Sequence, residues 1–361
     1  MRELLESLLV KHWYIKQRDF SYYLAHVFLL LLSWIFAVLS LSRRRLYQLS
    51  LLATYKLNVP VIVIGNITVG GTGKTPLVIW LAEQLQQAGY TPGIISRGFG
   101  GKPQNVVRAV FASSHPSEMG DEPVLIAQRT NCPIFVSANR LLAGQQLLKV
   151  HPQCDVIISD DGLQHYQLAR TVEIAVVDSQ RLFGNACLLP AGPLRESVAR
   201  LNTVDAVVVN VGIATESAMF ENTMLENAFA MEIFTMEIKA GQFVNVADRK
   251  ITASVVDFQN KNIKAIAGVG NPERFFQQLS ARGLSFKSYA YPDHYSYKAA
   301  DFELIDADLV LMTEKDAVKC RAFATEDLAS KLWFLPIEAQ FTEAEELMSC
   351  VLDKLAGSSV N

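Results

Sequence analysis

The chain has 361 residues, of which 50% are hydrophobic and 19% are charged, and its formal net charge is −3. This composition supports a sizeable core and excludes an extensively disordered chain. A slightly acidic balance also argues against a general nucleic-acid-binding protein, which usually presents a basic face. The five cysteines form no CxxC pair, so we expect reduced thiols in a cytosolic body.

The first predicted element is an apolar helix over residues 24–41, followed by Arg43-Arg44-Arg45. A helix of this length reaches about 27 Å, close to the roughly 30 Å hydrocarbon core of a bilayer. Residues 1–56 hold eight Lys/Arg and three Asp/Glu, so they carry +5 and leave −8 for the rest of the chain. Basic flanks favour anionic lipid and place the following body in the cytoplasm. We predict a membrane-anchoring region over residues 1–45, whose helix spans the bilayer or inserts partly into it; a buried core helix is the alternative.

Short apolar strands then alternate with helices. We predict strands over residues 59–64, 93–96, 134–137, 155–159, 173–177 and 206–210, with helices over 76–87, 122–129 and 140–150. A second series has strands over 229–238, 264–269, 286–291, 308–312 and 333–337, with a helix over 272–282. This alternation indicates an α/β fold, with a doubly wound parallel sheet of the P-loop NTPase type. We place that domain at residues 46–229, a smaller α/β domain at 230–338 and a C-terminal helix at 339–361.

A phosphate loop follows the first strand and opens the first helix of the body. Its sequence is Gly70-Gly71-Thr72-Gly73-Lys74-Thr75, and Thr68 stands where the strict pattern has glycine. Glycines let backbone N–H groups turn towards phosphate oxygens, and the helix N-terminus adds partial positive charge. Lys74 would bridge the β- and γ-phosphates, and Thr75 would bind Mg²⁺ through its hydroxyl. The predicted nucleotide-binding residues are Thr68, Val69, Gly70, Gly71, Thr72, Gly73, Lys74 and Thr75.

Two carboxylates, Asp160 and Asp161, end the predicted strand at 155–159. An aspartate at a strand end is the expected Mg²⁺ partner in a P-loop protein. An ordinary strand-to-loop turn also favours aspartate, but the phosphate loop makes the metal role the better interpretation. Either aspartate fits the metal.

Further short motifs follow in a fixed order. They are Val63-Ile64-Gly65-Asn66, Ser96-Arg97-Gly98, Gly120-Asp121-Glu122-Pro123, Asn139-Arg140, Asp160-Asp161-Gly162-Leu163-Gln164-His165, Leu189-Pro190-Ala191-Gly192-Pro193-Leu194-Arg195-Glu196, Asp293-His294-Tyr295 and Thr313-Glu314-Lys315-Asp316. With the phosphate loop, they resemble the tetraacyldisaccharide 4′-kinase family over nearly the full chain. The resemblance implies a two-domain kinase at the cytoplasmic face of the inner membrane. Such a kinase uses ATP and Mg²⁺ to phosphorylate the 4′-hydroxyl of the lipid A disaccharide 1-phosphate precursor. Thr68 is itself typical of that family.

The resemblance also implies roles for individual residues. Asp121 is the candidate base and His294 its orienting partner, although from the sequence alone an aspartate in Gly-Asp-Glu-Pro is more often a helix N-cap. Because they lie on different predicted domains, we expect their meeting to require domain closure. The expected catalytic residues are Asp121, His294, Lys74 and Arg195. The expected metal ligands are Thr75, Asp160 and Asp161, with Glu122 and Glu196 assisting through water. The expected substrate-binding residues are Asn66, Arg97, Arg140, Gln164 and His165, where arginine suits phosphate geometry.

Other functions fit the same loop. One is a membrane-attached nucleotide switch, and another is a small-molecule P-loop kinase with a helical anchor. A switch often carries a guanine-reading Asn-Lys-x-Asp sequence, which does not occur here. Lys315 either reaches a phosphate or a base edge, or belongs to an ordinary capped turn. Besides the lipid substrate we expect contact with anionic lipid of the inner leaflet, and neither a nucleic-acid nor a protein partner.

Overall fold

Strands and helices alternate through the described part of the chain, as the apolar pattern predicts. The computed structural model describes residues 2–14, 20–99, 101, 106–212, 232–303, 306–324 and 326–358. The strands are β1 (Val61–Gly65), β2 (Pro92–Ser96), β3 (Arg108–Val110), β4 (Ile134–Val136), β5 (Val156–Asp160), β6 (Val172–Asp178), β7 (Ala206–Gly212), β8 (Ile233–Ala240), β9 (Phe243–Asn245), β10 (Thr252–Ala253), β11 (Ile263–Ala267), β12 (Lys287–Ala290), β13 (Leu309–Thr313), β14 (Leu332–Leu335) and β15 (Ile337–Phe341). The helices are α1 (Arg2–Tyr14), α2 (Phe20–Gln48), α3 (Lys74–Gln87), α4 (Pro116–Met119), α5 (Asp121–Arg129), α6 (Arg140–Val150), α7 (Pro272–Ala281), α8 (Ala299–Glu303), α9 (Glu314–Cys320), α10 (Glu326–Ala329) and α11 (Ala344–Ser358).

Differences from the sequence prediction lie at element ends and at the last strands. The predicted strand over 333–337 is two strands, β14 and β15, because Pro336 lies between them and has no N–H for a ladder. Since β15 extends to Phe341, the C-terminal helix begins at Ala344 instead of residue 339. The first residues of the predicted strand 229–238 and the last three of the chain lie outside the described residues.

The first of two compact units comprises residues 1–74, 153–236 and 341–361. Its strands lie in the order β7-β6-β1-β5, and each neighbouring pair is parallel. All five residues of β1 are buried, as are all seven of β7. Such continuous apolar strands need cover on both faces, as the prediction of a doubly wound sheet assumed. In the β1–β5 register Ile64 lies beside Asp160, so the loop after β1 and the paired aspartates leave the same sheet edge.

The predicted apolar helix forms part of α2, within the first unit. Its Ser33 hydroxyl donates to the Leu188 carbonyl at 2.8 Å, and Arg44 donates to the Thr203 hydroxyl at 2.9 Å. These bonds fasten one side of α2 to the unit. The remaining surface exposes large apolar side chains, among them Leu24, Val27, Phe28, Leu31, Trp34, Ile35 and Leu39. By length and composition, residues 22–48 are able to cross a membrane.

The second unit comprises residues 75–152 and 237–340. It contains the strands β2-β4-β3 and a sheet in the order β10-β9-β14-β13-β11-β12. In that sheet β12, β11, β13 and β14 are mutually parallel, and β9 and β10 add an antiparallel edge. A core around Phe243, Phe276 and Leu311 lies on one face. Helix α5 packs against α9. The contacts therefore group residues 75–152 with 237–340, and the predicted domain boundary near residue 230 stays a prediction.

Candidate active site

The phosphate loop depends on glycine at two of its positions. Gly70 and Gly73 have φ values of +108° and +96°, in the left-handed region that side chains rarely adopt. A Cβ on Gly73 would lie 2.3 Å from Asn210 Nδ2. That same amide nitrogen donates to the Thr72 carbonyl at 3.0 Å. Asn210 from β7 thus fixes the last turn of the loop before α3 begins, and leaves no room for a larger residue there.

The first half of the loop is held by the Leu189–Glu196 segment. Val69 N donates to the Pro193 carbonyl at 2.8 Å, and Arg195 N donates to the Ile67 carbonyl at 2.6 Å. Thr68 is buried and bridges to Leu194. These bonds form a short ladder, so the backbone on both sides of the predicted loop is fixed before any ligand arrives. Thr68 is paired with Leu194 through its backbone and is buried, so this position has an ordered place for a residue other than glycine.

Lys74 is the first residue of α3 and contacts two predicted site residues. Its Nζ donates to Asn66 Oδ1 at 3.2 Å and lies 3.5 Å from Asp161 Oδ1. Asn66 is fully buried. Asn66 Nδ2 has no hydrogen-bond partner among the described residues, and neither has the buried Thr72 Oγ1. Buried polar atoms without partners are uncommon, so polar groups of a ligand are expected to satisfy them.

The two aspartates after β5 differ in exposure and contacts. Asp160 is 1% exposed, whereas the Asp161 side chain is 31% exposed and meets both Lys74 and Arg195. Arg195 Nη1 lies 3.1 Å from each Asp161 carboxylate oxygen. Asp161 has a φ of +48°, which turns it away from the direction of the strand. Asp161 therefore faces the loop lysine.

Gln164 joins the arginine to the loop. Its Nε2 donates to the Asn66 carbonyl at 3.1 Å and to Glu196 Oε2 at 3.4 Å, while its Oε1 accepts from Arg195 at 3.4 Å. Lys74, Asn66, Gln164, Arg195 and Asp161 therefore form a closed ring of polar contacts in the first unit. The predicted residues Lys74, Asn66, Gln164, Arg195, Asp161 and Glu196 are thus brought together.

Glu196 is buried and has further partners besides Gln164. It accepts a short hydrogen bond from the Tyr166 hydroxyl and lies 3.5 Å from Arg200 Nε. Burial, and then the Glu196 charge, raise the pKa of Tyr166 to about 12. Arg200 also pairs with Glu173 at 2.6 Å. A carboxylate held by these donors is well ordered, and its assistance to a metal through water stays a prediction.

Arg170 supports the backbone of the loop that carries the paired aspartates. It donates to the carbonyls of Leu163 and His165 at 3.0 and 2.6 Å, and it pairs with Glu173 at 2.7 Å. His165 is half-buried on this loop. A guanidinium that bonds two carbonyls of one turn fixes its curvature.

Asp121 and His294 meet within the second unit. His294 Nδ1 lies 2.9 Å from Asp121 Oδ1 and 3.0 Å from Oδ2. Asp121 is the first residue of α5 and 3% exposed, and its Oδ1 also accepts from Glu122 N at 2.9 Å. Asp121 thus begins helix α5, and it also forms the predicted contact with His294. Because both residues belong to one compact unit, their contact does not need the domain closure expected from the sequence.

The sharp turn before α5 needs glycine. Gly120 has a φ of +91°, and a Cβ there would lie 2.5 Å from the Phe99 carbonyl oxygen. The Phe99 ring lies 4.8 Å from the His294 ring, centroid to centroid. His294 has a φ of +59°, an uncommon backbone conformation for this residue type. The two turns therefore present carboxylate and imidazole to each other.

Two lysines of α9 lie beside the same carboxylate. Lys315 Nζ is 4.0 Å and Lys319 Nζ is 3.8 Å from Asp121 Oδ2. Burial alone would raise the pKa of the Asp121 carboxyl. The charge of Lys315, the hydrogen bond from His294 and the charge of Lys319 outweigh burial and hold that pKa well below its usual range. Asp121 is therefore ionised at neutral pH.

The neighbouring groups respond to the same charges. Burial and the charge of Lys315 lower the pKa of His294, but the hydrogen bond to Asp121 and the charges of Asp121 and Asp293 together outweigh them, so the net pKa is raised. Burial likewise lowers the pKa of Lys315, and Asp121, Glu122 and Asp293 raise it well above its ordinary value. Lys315 Nζ lies 3.0 Å from Glu122 Oε1 and 3.2 Å from Asp293 Oδ1. Glu122, a predicted metal helper, is thus paired with Lys315.

The remaining predicted residues lie outside these clusters. Arg97 is exposed after β2, and Arg140 is 2% exposed and donates to the Ser137 carbonyl at 2.9 Å. Arg140 therefore supports the turn between β4 and α6, and substrate contact by either arginine stays a prediction. Gly71 is exposed in the loop, and Thr75 is the second residue of α3.

The donor set fits magnesium and a nucleotide. Among the described residues no group of three His, Cys, Asp or Glu side chains gathers as a ready metal cage. Magnesium is usually held by one or two carboxylates together with waters and phosphate oxygens, so Asp160 and Asp161 suffice on the protein side. The backbone N–H groups at the start of α3 and the Lys74 ammonium suit phosphate oxygens.

Some of this site was not found from the sequence. No sequence motif assigns a role to Lys319, Asp316, Arg170 or Tyr166. The spacing of Lys315 and Lys319, four residues apart, was a usable signal, since it places both on one helix face. The carboxylate they face lies almost two hundred residues earlier, however, and only the packing of α5 on α9 identifies it.

Comparison with known proteins adds a family. A model described as tetraacyldisaccharide-1-P 4′-kinase matches residues 25–356. The tetraacyldisaccharide 4′-kinase of Methylobacillus flagellatus is 47% identical over 317 residues, 86% of this chain and 87% of that protein. The enzyme of the same name from Herminiimonas arsenicoxydans is 45% identical over 332 residues, 91% of each chain. The crystal structure of LpxK from Aquifex aeolicus in complex with ATP matches with a TM-score of 0.73 and 26% identity, over 92% of this chain and 99% of that one. The resemblance and fold class predicted from the sequence are confirmed, and the chain belongs to the tetraacyldisaccharide 4′-kinase family.

Proposed function

We propose that this chain transfers the γ-phosphate of ATP to the 4′-hydroxyl of a tetraacyldisaccharide 1-phosphate, the lipid A disaccharide precursor. The observation that carries the proposal is the phosphate loop with Lys74 at the start of α3, in a chain of this kinase family. The loop is locked by Asn210 on one side and by Pro193 on the other. A preset loop binds phosphate without a further ordering cost.

The first unit supplies the charges that a transferred phosphoryl group needs. The nucleotide is expected to lie on residues 68–75, with Lys74 directed at the β- and γ-phosphates. Arg195 contacts the Asp161 carboxylate, as Lys74 does, and adds a second cation for the charge that develops on the transferred phosphoryl group. Asp160 and Asp161 are the expected holders of Mg²⁺ in this unit, with Glu196 acting through water. For Thr75 and Glu122, which belong to the second unit, the metal role stays a prediction. When bound, Mg²⁺ neutralises charge on the phosphate oxygens.

The second unit supplies the proton acceptor. Asp121 is ionised, and His294 holds both of its carboxylate oxygens. In a loose phosphoryl-transfer transition state the attacking hydroxyl keeps its proton until late. A weakly basic carboxylate is then sufficient, provided that it is oriented to accept the hydroxyl hydrogen bond. Two hydrogen-bond donors, His294 Nδ1 and Glu122 N, and two lysine cations surround the buried Asp121 carboxylate, which supports this role.

The next residues are those that we propose to contact the lipid substrate and the membrane. Asn66, Gln164 and His165 lie on the ring and loop around Lys74, and Arg97 is exposed and able to reach a phosphate. Arg140 is the remaining candidate. The exposed apolar side of α2 and the triplet Arg43–Arg45 favour attachment to an anionic membrane surface. We propose the cytoplasmic face of the inner membrane as the location, with anionic lipid of the inner leaflet in contact.

The test is a transfer assay with the detergent-solubilised full chain. Label from γ-labelled ATP should appear on tetraacyldisaccharide 1-phosphate in the presence of Mg²⁺. Lys74→Ala is the matched negative control, because it removes only the loop cation. Release of free phosphate that is unaffected by the lipid would indicate a nucleotide switch. Transfer to a small soluble alcohol in preference to the lipid would indicate a small-molecule kinase.

A further inference from the structure

Helix α9 presents two ammonium groups to one carboxylate. Lys315 and Lys319 are one helical turn apart, so they share a face, and α5 packs against that helix. Both Nζ atoms approach the same oxygen, Asp121 Oδ2, at 4.0 and 3.8 Å. The other oxygen accepts from Glu122 N. Each side of the Asp121 carboxylate therefore has its own donors or cations.

Lys319 is fixed by a second, fully buried carboxylate. Its Nζ lies 2.8 Å from Asp316 Oδ1, and Asp316 has no exposed surface. Asp316 Oδ2 accepts from Gly268 N at 3.0 Å and from the Thr313 hydroxyl at 2.7 Å. The Lys319 ammonium also lies over the Tyr297 ring, 5.1 Å from its centroid. An ammonium held from these directions has no freedom to leave Asp121.

The charged groups around Asp121 come from three segments. Helix α9 gives Lys315 and Lys319, the segment after β12 gives His294 and Asp293, and α5 gives Glu122. The Lys315 Nζ atom is 3.2 Å from Asp293 Oδ1 and 3.0 Å from Glu122 Oε1. Glu314, on another face of α9, pairs with Arg129 and Arg249 instead. Lys315 thus contacts Asp121, Glu122 and Asp293, whereas Lys319 contacts Asp316 and Asp121.

We propose that Lys315 and Lys319 are positioning residues for the proton-accepting carboxylate: their ammonium groups hold the Asp121 carboxylate in one orientation. This inference rests on the proposed function and assigns a role to the Thr313–Asp316 segment and to Lys319. The two lysines act through Asp121. The ammonium group of Lys315 also contacts the carboxylates of Glu122 and Asp293, which belong to the same unit.

The test is steady-state transfer to the lipid acceptor at one fixed pH, with kcat and the KM for ATP measured separately. In Lys315→Met and Lys319→Met, loss of one ammonium group should lower kcat by about tenfold or more, because the Asp121 carboxylate is no longer held in one orientation. The KM for ATP should stay unchanged. Lys315→Arg and Lys319→Arg should restore part of the lost kcat, since arginine keeps the cation. A merely structural role would lower the folded fraction and leave kcat per folded molecule unchanged.

Folding of the variants needs its own design. Lys319→Met leaves Asp316 buried without its cation, which is strongly destabilising in general. The double variant Lys319→Met with Asp316→Asn removes both charges and keeps the Asn able to accept from Gly268 N. Lys315→Met is safer, since its partners Glu122 and Asp293 are 26% and 34% exposed. Lys354→Met is the matched control, because that lysine pairs with Asp205 and is 48% exposed.

The possible results separate the two proposals. If the wild-type chain transfers no phosphoryl group to the lipid, the proposed function fails. If the wild type is active and folded Lys315→Met and the folded double variant keep the wild-type kcat, the positioning inference is wrong. The ¹⁵N resonances of the His294 imidazole give a readout that does not need activity. In Lys315→Met they should titrate at higher pH than in the wild type, because Lys315 lowers the pKa of His294; an unchanged titration also contradicts the inference.

Discussion

Replacement of Asp121 by asparagine tests the proposed base with the smallest change in shape. The amide keeps an oxygen that accepts from Glu122 N and from His294, but it loses the charge and cannot take a proton. Each neighbouring lysine keeps a closer partner. Lys319 lies 2.8 Å from Asp316, against 3.8 Å from Asp121. Lys315 lies 3.0 Å from Glu122, against 4.0 Å from Asp121. No cation is therefore left unpaired in the core.

This pairing separates the effect on folding from the effect on rate. A hydrogen bond to a charged group contributes about 1.5–3 kcal/mol, and that is the stability loss we expect for Asp121→Asn. It is smaller than the roughly 3–5 kcal/mol expected when a buried charge loses its only partner. Removal of a general base lowers turnover by about two to four orders of magnitude, equivalent to about 3–5 kcal/mol of transition-state stabilisation. The rate should thus fall while the chain still folds.

The assay is single-turnover transfer of label from ATP to the lipid acceptor, with thermal unfolding measured on the same preparations. Asp257→Asn is the matched control, because that aspartate belongs to the same unit and accepts from Ser254 N and Oγ at the surface. It should keep wild-type turnover. A folded Asp121→Asn chain with turnover within a few-fold of wild type would remove Asp121 from the base role.

Four further outcomes are expected. Lys74→Ala should lower turnover by at least about two orders of magnitude, measured in the transfer assay, because it removes the cation nearest the phosphates. Gly73→Ala should weaken ATP binding in calorimetry, since its Cβ meets a side chain at 2.3 Å. Charge reversal of residues 43–45 to glutamate should weaken sedimentation with anionic vesicles, since each basic residue near such a surface contributes about 1 kcal/mol. The pKa of His294 is raised in the folded chain, so its stabilising bond is fully present below the unfolded pKa of about 6.5 and is lost as pH rises through the folded pKa. The difference in Tm between wild type and His294→Gln should therefore be largest below about pH 6.5 and shrink above it.

Two of these outcomes have matched control variants, and a third has a contradicting result. Gly283→Ala has the same backbone strain, with a φ of +80°, but nothing lies within 4 Å of its Cβ and it lies outside the phosphate loop. Equal loss of ATP affinity in both glycine variants would mean that general destabilisation, and not a change in the phosphate loop, weakens ATP binding. Reversal of the exposed Lys250 and Lys261 to glutamate changes the net charge far from α2 in sequence. If it weakens vesicle binding as much as reversal of residues 43–45, total charge explains the attachment. A Tm difference for His294→Gln that does not vary with pH would contradict the ionic character of the bond.

The fold and the phosphate loop were predictable because their signals are local in sequence. A strand, a glycine-rich turn and a helix are adjacent along the chain, and β1 and α3 appear where the apolar pattern puts them. The position of Asp160 at the end of β5 follows from the same pattern, since parallel neighbours end at one edge. Element ends were less certain where a single residue decides, as Pro336 does between β14 and β15.

The second cluster was predictable only in part, because its members are distant in sequence. The pairing of Asp121 with His294 came from the family resemblance and is present at 2.9 Å. Its placement in one compact unit was not foreseen, since the boundary near residue 230 was drawn along the chain. The role of Lys319 depends on how α9 packs on α5, and side-chain packing between helices has no local sequence signal.

Asp161 and Asp121 both contact cations, but they differ in exposure and therefore in how easily those contacts exchange. The Asp161 side chain is 31% exposed, and its partners Lys74 and Arg195 meet it at the edge of solvent. Partly exposed ion pairs contribute little, about 0–1 kcal/mol, so Lys74 is able to exchange Asp161 for phosphate oxygens at small cost. Asp121 is 3% exposed and held by His294 and two lysines. Breaking a buried pair of this kind costs several kcal/mol, so the orientation of Asp121 is set before the substrate arrives. We therefore expect the nucleotide to rearrange the contacts of Lys74, and the acceptor hydroxyl to find the Asp121 contacts already in place.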